Sequence, residues 1–301
     1  MQDGATAEKL PESARFVDLS DYARPIAAWI AWGLRSSPLR APQVTLIWAL
    51  IGLGGAYCYT LGGYSWALVG AAAMQVKNIL DAVDGSLARL QNRPSRIGRF
   101  LDSICDALIA AVLVAGLAVA ISRDRPVAYA VVLAAAALVL GLLQGSVFNY
   151  FYVRFRARRG GDTTSRVKEE LTPEDRARYA GRPAALFVLR ALIGMYNGIY
   201  GWQDLLVQRV DRWAAAPLQR CGREEDAARL RDDRVLLTAV SALGPGLTIL
   251  ILDLYTVAGI RHLAFALELF LWTVALGGTL YAASIFFRLR RAATRLAGPR
   301  T

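Results

Sequence analysis

Long apolar stretches recur along the chain, closed off by arginines or by glycine and proline. Six of them approach the roughly 20 residues a helix needs to cross a bilayer. They lie at about 43–61, 64–84, 98–121, 127–151, 235–257 and 263–287. The pattern predicts an all-α integral membrane protein with six transmembrane helices. A seventh apolar stretch, Tyr22–Arg35 (YARPIAAWIAWGLR), is too short to span and carries Trp29 and Trp32 between flanking arginines. It reads as an N-terminal interfacial amphipathic helix over 22–35, with a soluble packed helix as the alternative. Pro38 and Pro42 break the chain before the first span. Residues 1–21 contain no signal-peptide-like apolar run and are expected to be a mobile extension.

The basic residues orient these spans. Arg35 and Arg40 precede the first, and Arg89, Arg93, Arg96 and Arg99 follow the second. The tail 288–301 carries Arg288, Arg290, Arg291, Arg295 and Arg300. The alternate connections, Gly62–Gly63, Arg123–Arg125 and Arg261–His262, are short and carry little charge. The bias toward positive cytoplasmic loops places both termini on the cytoplasmic side. Between spans four and five the pattern fails: 152–234 is a cytosolic helical insertion by its polarity, with 17 Lys/Arg against 12 Asp/Glu from Arg154 to Arg234. Within it, Thr172 and Pro173 look like the cap and first residue of a helix. Residues 184–200 are apolar but for Arg190 and Asn197, which share one helical stripe. This stretch reads as interfacial, because a seventh span would put the basic tail on the wrong side. The domain plan is therefore 1–21, 22–35, spans one to four in 36–151, the insertion 152–234, spans five and six in 235–287, and the tail 288–301.

Composition narrows the chemistry. The chain has 55% apolar residues and a mean hydropathy of +0.35 over 301 residues, too apolar for an ordinary soluble domain. In such a chain a net charge of +11 reflects cytoplasmic loops and anionic lipid, so no nucleic-acid partner is expected. Three scattered cysteines imply neither a disulfide framework nor a zinc site. With the single histidine His262, any metal must be held by carboxylate oxygen, which favours Mg²⁺, Mn²⁺ or Ca²⁺.

Such carboxylates exist where spans two and three meet. Asp81, Asp84, Gly85, Ala88, Arg89, Gly98, Asp102 and Asp106 form the pattern D-x2-D-G-x2-A-R-x8-G-x3-D-x3-D. Acids at a membrane boundary are costly and mark function by default. Asp81 and Asp84 share one helical face, and Asp102 and Asp106 share another on the antiparallel neighbour. Together they make a four-carboxylate cluster suited to two divalent cations about 3.5–4 Å apart that bridge a diphosphate. Gly85 and Ala88 let a bulky ligand approach the helix, and Gly98 is expected to relieve the turn into span three. Arg89 would pair with a phosphate or an aspartate. A single boundary aspartate would be explained by the neighbouring arginines; four at 3-, 18- and 4-residue steps are not.

At every fixed position this stretch resembles the signature of the CDP-alcohol phosphotransferases, integral-membrane enzymes of phospholipid synthesis. Ala41-Pro42-Gln43-Val44-Thr45 is similar to that family's start of span one, with Gln43 where Asn is common. The resemblance covers 36–155 well and 235–290 by topology, but not the insertion or the N-terminal extension. It implies six spans, a homodimer, and two Mg²⁺ or Mn²⁺ ions per site. Asp81, Asp84 and Asp102 would bind the metals, and Asp106 would complete the metal site and act as the general base. Gly85, Ala88, Arg89 and Gly98 would contact the CDP moiety, and Lys77 would reach a phosphate or else pair with Asp81. The implied reaction moves a substituted phosphate from a CDP-alcohol, most simply CDP-diacylglycerol, to an acceptor alcohol such as serine, glycerol phosphate or inositol phosphate, and CMP leaves. A CDP-aminoalcohol with diacylglycerol as acceptor, or a soluble phosphodiester product, would use the same site. The site would lie on the cytoplasmic face of a bacterial or archaeal membrane, where the lipid partner is at hand.

Arg93, Arg96, Arg99, Arg154 and Arg156 would either form a pocket for an anionic acceptor or merely fix topology. Asp253 and Glu268, within spans five and six, are expected to pair with Arg261 or His262 at the far surface. A proton or ion pathway through them would instead favour a transporter, but the carboxylate cluster sits at one boundary rather than mid-membrane. Cys105 is expected only to pack.

Overall fold

The computed structural model describes residues 10, 12–93, 95–159 and 169–298. It is 82% helix, with no strand among the described residues. Helix α1 (Arg24–Leu34) buries Ala27 and Ala31 and leaves Trp29 76% exposed, with Ile26 and Trp32 exposed beside it. Helix α2 (Ala41–Leu61) starts on Pro42, where Gln43 Oε1 accepts from the Arg40 N–H at 2.8 Å. Gln43 thus serves as a capping side chain in its first turn. The turn to α3 (Tyr64–Leu90) needs only Gly62 and Gly63, whose φ of 79° and 81° suit glycine.

Helices α2 and α3 pack at glycine distance. A Cβ on Gly70 would stand 2.8 Å from both the Gly55 carbonyl oxygen and the Tyr59 ring, so the two backbones meet there. Gly70→Leu is expected to force them apart and cost about 1–3 kcal/mol or more. A thermal melt in detergent checks this, and an unchanged midpoint would refute the tight contact.

Ser95 caps α4 (Arg96–Ile121), accepting from Gly98 N–H at 3.4 Å. Helix α5 (Val127–Arg158) follows a connection through Pro126. Its 32 residues make about 48 Å at 1.5 Å per residue, more than a hydrocarbon core of about 30 Å. The insertion then begins with α6 (Pro173–Arg178), capped as expected by Thr172 Oγ1 accepting from Asp175 N–H at 3.2 Å. Helix α7 (Pro183–Tyr196), a π-helical turn over Asn197–Gly201, and α8 (Trp202–Arg220) run on as one 38-residue helix.

This helix leans on the end of the bundle that carries the acidic motif. Leu189, Ile193 and Tyr196 gather round Phe100 at the start of α4, and the Tyr200 hydroxyl donates to Ser103 O at 3.0 Å. Farther along, Ser146 Oγ donates to Gln203 Oε1 at 2.9 Å and the Tyr150 hydroxyl donates to Asp211 at 2.8 Å. Arg190, Gly194 and Asn197 are all exposed, and Asn197 Nδ2 donates to Glu169 O at 2.9 Å.

Helices α9 (Glu224–Arg231) and α10 (Arg234–Ser241) lead to α11 (Pro245–Ala258). The fifth expected span, 235–257, is this α10–α11 pair, bent by 45° at its break. Pro245 and Gly244 explain the bend, because proline starts a helix but cannot continue one. Helix α12 (Leu263–Trp272), a π turn over Thr273–Gly278 and α13 (Thr279–Ala297) form the last helix, which keeps the expected basic tail helical to Ala297. Gln144 Nε2 donates to Val274 O at 2.8 Å in that π turn.

Among the described residues five helices are long and apolar enough to cross a membrane, or six with the bent pair. The count is close to the six expected, but by apolarity it includes α7–α8 and omits α3. Helix α3, the expected second span, falls short because Gln75, Lys77, Asn78, Asp81 and Asp84 lie on it. The α7–α8 helix takes its place on length and composition.

Two further expectations change. Residues 1–9 and 11 of the expected mobile extension lie outside the described residues, but the rest is packed down. Ala14 is buried, and Phe16 meets Tyr152 and Phe155 edge-on at 6.1 and 5.9 Å. Leu19 N–H donates to Ser241 Oγ at 2.9 Å, and Ser20 Oγ accepts from Gly246 N–H at 3.0 Å. Asp253 and Glu268 also choose other partners than Arg261 or His262. Asp253 accepts from Gln75 Nε2, and Glu268 accepts from Arg125 Nε at 2.8 Å and the Tyr129 hydroxyl at 2.6 Å. The Glu268 carboxylate holds the Arg125 guanidinium above its ordinary pKa.

Candidate active site

The carboxylates of α3 and α4 converge as their spacing requires. One oxygen each of Asp81, Asp102 and Asp106 lies within 4.8 Å of the others. Lys77, one turn before Asp81, is 3% exposed and enters the same group. Its Nζ donates to Asp81 Oδ2 at 2.9 Å and to Asp106 Oδ1, and it lies 4.4 Å from the Trp48 ring centre. Of the two readings of Lys77, the structure thus shows the ion pair with Asp81 and extends it to Asp106. One ammonium against four carboxylates leaves a surplus of negative charge. Asp102 Oδ1 is buried with no hydrogen-bond partner, a costly condition unless a cation completes it. An all-oxygen donor set with an orphaned carboxylate oxygen fits a hard divalent cation.

Asp84 stands outside this threesome. Its Oδ2 accepts from Thr45 Oγ1 at 2.6 Å and from Trp48 Nε1 at 2.8 Å, both on α2. Its Oδ1 is left as the oxygen it can turn to the cluster. Thr45 lies in the A-P-Q-V-T stretch and Trp48 three residues on, so both project from one face toward α3. Sequence reasoning missed this role, because a hydrogen bond across 39 positions leaves no local pattern.

Gly85 and Gly98 differ in their use. A Cβ on Gly85 would meet only Arg89 side-chain atoms, the nearest at 3.6 Å, so bare helix surface faces the cavity there. Gly98 does not relieve a turn. It lies in the first turn of α4 with its N–H on the Ser95 cap, and a Cβ would meet Ser95 at 3.8 Å. Cys105 packs within the apolar core, as expected.

The expected basic pocket divides. Arg96 pairs with Glu169 at 2.6 Å and with Asp175, and Arg99 pairs with Glu169 at 2.7 Å. The insertion is thereby tied across the connection between α3 and α4. Arg93, Arg99 and Arg156 line the same cavity as the carboxylates, whereas Arg96 and Arg154 do not. Arg154 lies 5.2 Å from the Tyr150 ring centre and Arg156 5.5 Å from that of Tyr152.

The cavity measures about 570 Å³, within the range of small-molecule sites. At one end it is walled by Lys77, Asp81, Asp84, Asp102, Asp106 and Arg89. At the other it runs between Leu113, Val114, Leu138, Leu142, Phe270 and Leu271. Tyr196 and Tyr200 of the insertion close its side near Asp106. A ligand that fits both ends has a polar head that cations can hold against the carboxylates and an apolar tail.

Fold and site together define a helical membrane protein with a carboxylate centre at one edge of its bundle. Residues 40–218, more than half of the chain, match the family described as CDP-alcohol phosphatidyltransferase, and the chain belongs to that family. A similar protein is the archaetidylinositol phosphate synthase of Methanothermobacter thermautotrophicus, 32% identical over 107 residues, 36% of this chain and 47% of that one. Another is the bifunctional IPC transferase and DIPP synthase of Thermococcus kodakarensis, 39% identical over 82 residues, 27% of this chain and 17% of that one. The matched stretches thus span less than half the length of these relatives.

Proposed function

We propose that the protein transfers a substituted phosphate from a lipid-linked CDP-alcohol to a phosphorylated polyol and releases CMP. The observation that carries this is the pairing, in one cavity, of the Asp81–Asp102–Asp106 group with an apolar far end. Asp81, Asp84 through Oδ1, Asp102 and Asp106 would hold two Mg²⁺ or Mn²⁺ ions, which supply charge neutralisation on a diphosphate. Gly85 gives the diphosphate room against the α3 backbone, and Arg89 pairs with it. The acceptor hydroxyl attacks the β-phosphorus and its proton passes to an Asp106 carboxylate oxygen. The bond from that phosphorus to the bridging oxygen breaks, and CMP leaves with the electron pair. Positioning and charge neutralisation do most of the work in such a transfer.

The apolar end would hold the acyl chains of a CDP-diacylglycerol-like donor or of a diacylglycerol acceptor, so the choice between them rests on the basic wall. Arg93, Arg99 and Arg156 in the cavity wall favour an acceptor that carries its own phosphate, in keeping with the inositol phosphate named in one relative. The site then faces the cytoplasm of a bacterial or archaeal cell, where CMP can leave into water. The α7–α8 helix lies in the membrane interface rather than spanning, since both halves lean on the motif end of α4 and α5.

Purified protein in detergent, given radiolabelled CDP-diacylglycerol and inositol phosphate, is expected to release CMP only with Mg²⁺ or Mn²⁺ present. Turnover that persists in EDTA would overturn the mechanism.

A further inference from the structure

One wall of the cavity lies outside the 40–218 family match. The strap before α1 contributes Asp18, Ser20 and Asp21 to the lining. This strap is pinned by the hydrogen bonds from Leu19 to Ser241 and from Gly246 to Ser20. It also presses on the bare start of α11, where any Cβ on Gly246 would collide with the Ser20 carbonyl oxygen. It is thus a fitted part of the cavity.

Two carboxylates here would repel a diphosphate. What they can do is accept hydrogen bonds. Asp21 pairs with Arg24, and Asp18 is also engaged within the fold, yet a carboxylate has two oxygens and about four lone-pair directions. A donor stands nearby. Asn78 lines the same cavity and is 8% exposed, and its buried Nδ2 makes no hydrogen bond of full geometry, although the Tyr22 hydroxyl lies within its reach. Tyr22, directly after the strap, donates to Gln75 one turn earlier on the same helix at 2.8 Å, which sets Asn78 beside the strap. An orphaned buried donor costs about 1–3 kcal/mol, so a ligand that satisfies it gains correspondingly.

Arg156 completes the surroundings. It is 6% exposed and lines the cavity from α5, and the charges of Arg156, Arg24, Asp18 and Asp21 all bear on the Tyr152 hydroxyl. Two acceptors, one amide donor and a guanidinium in one cavity match a molecule with several hydroxyls and a phosphate. Each hydroxyl both donates and accepts, and the phosphate answers the guanidinium.

We propose that Asp18, Asp21 and Asn78 form a hydroxyl-reading subsite that selects a polyol phosphate as the acceptor. The subsite rests on the transferase reading above, and its test separates the two. CMP release is measured with inositol phosphate, glycerol phosphate and serine as acceptors. Asp18→Asn and Asn78→Leu are each expected to raise KM for inositol phosphate about tenfold, with a smaller change in kcat and none in KM for CDP-diacylglycerol. The penalty is expected to shrink with glycerol phosphate, which has fewer hydroxyls to read. Asn78→Leu is also expected to melt no lower than the parent, because it removes an unsatisfied donor. An unchanged acceptor KM, or an equal rise in the donor KM, would overturn the subsite. So would CMP release with serine but with neither phosphorylated polyol, an outcome that also removes the polyol acceptor proposed above but leaves transfer from a CDP-alcohol standing. No CMP release with any acceptor would sink both.

Discussion

Asp106→Asn is expected to lower CMP release by about 10²–10⁴-fold, the usual weight of a general base, while the protein melts close to where it did. The amide keeps the size of the carboxylate and one acceptor oxygen for Lys77, which now bonds both Asp106 and Asp81. It loses the proton-accepting oxygen and one negative charge. Because Asp106 is also one of the three convergent carboxylates, half-saturation by Mg²⁺ is expected to move to higher concentration as well. Saturating metal should restore binding but not turnover. Recovery of full turnover at high Mg²⁺ would assign Asp106 to metal binding alone and take away its role as base.

Lys77→Met carries the second large effect, on stability rather than rate. The ammonium is buried between Asp81 and Asp106 and over Trp48. Removing one partner of a buried pair costs about 3–5 kcal/mol, because the charge left behind is uncompensated. With Lys77 gone, a bound cation becomes the main means of offsetting Asp81 and Asp106. The variant is therefore expected to melt well below the parent in EDTA and to recover much of the difference in Mg²⁺, since a ligand that binds the folded state stabilises it by mass action. A loss that is the same with and without metal would show that Lys77 serves packing rather than charge balance.

Much of this was legible in the chain. The helices were, because a run of apolar residues and its flanking arginines are local signals. So was the convergence of Asp81 with Asp102 and Asp106, since 3- and 4-residue steps fix a helical face and a short connection fixes the neighbour. The capping by Thr172 and Pro173 followed from turn chemistry in the same way. The failures are of another kind. Nothing beside Asp84 announces that Thr45 and Trp48 will hold it, and nothing beside Arg96 announces Glu169 and Asp175, 73 and 79 positions away. Helix α3 carries Gln75, Lys77, Asn78, Asp81 and Asp84 within its 27 residues, so apolarity alone does not mark it as a span, and its place in the bundle rests on the motif and on its glycine contact with α2. The N-terminal strap has no periodicity to mark it, but a strap can be held by two hydrogen bonds and two aromatic contacts without any period.

That strap has a consequence for the way the protein comes into being. Leu19 reaches its partner 222 positions later and Ser20 reaches Gly246 after 226. A chain made from its N-terminus therefore carries the strap unattached through nearly all of its synthesis, with the acidic helices already threaded beside it. Contacts this distant in sequence form late. The cavity acquires its last wall only after α11 has entered the membrane, so a stalled or shortened chain keeps its aspartates but has no closed chamber in which to use them.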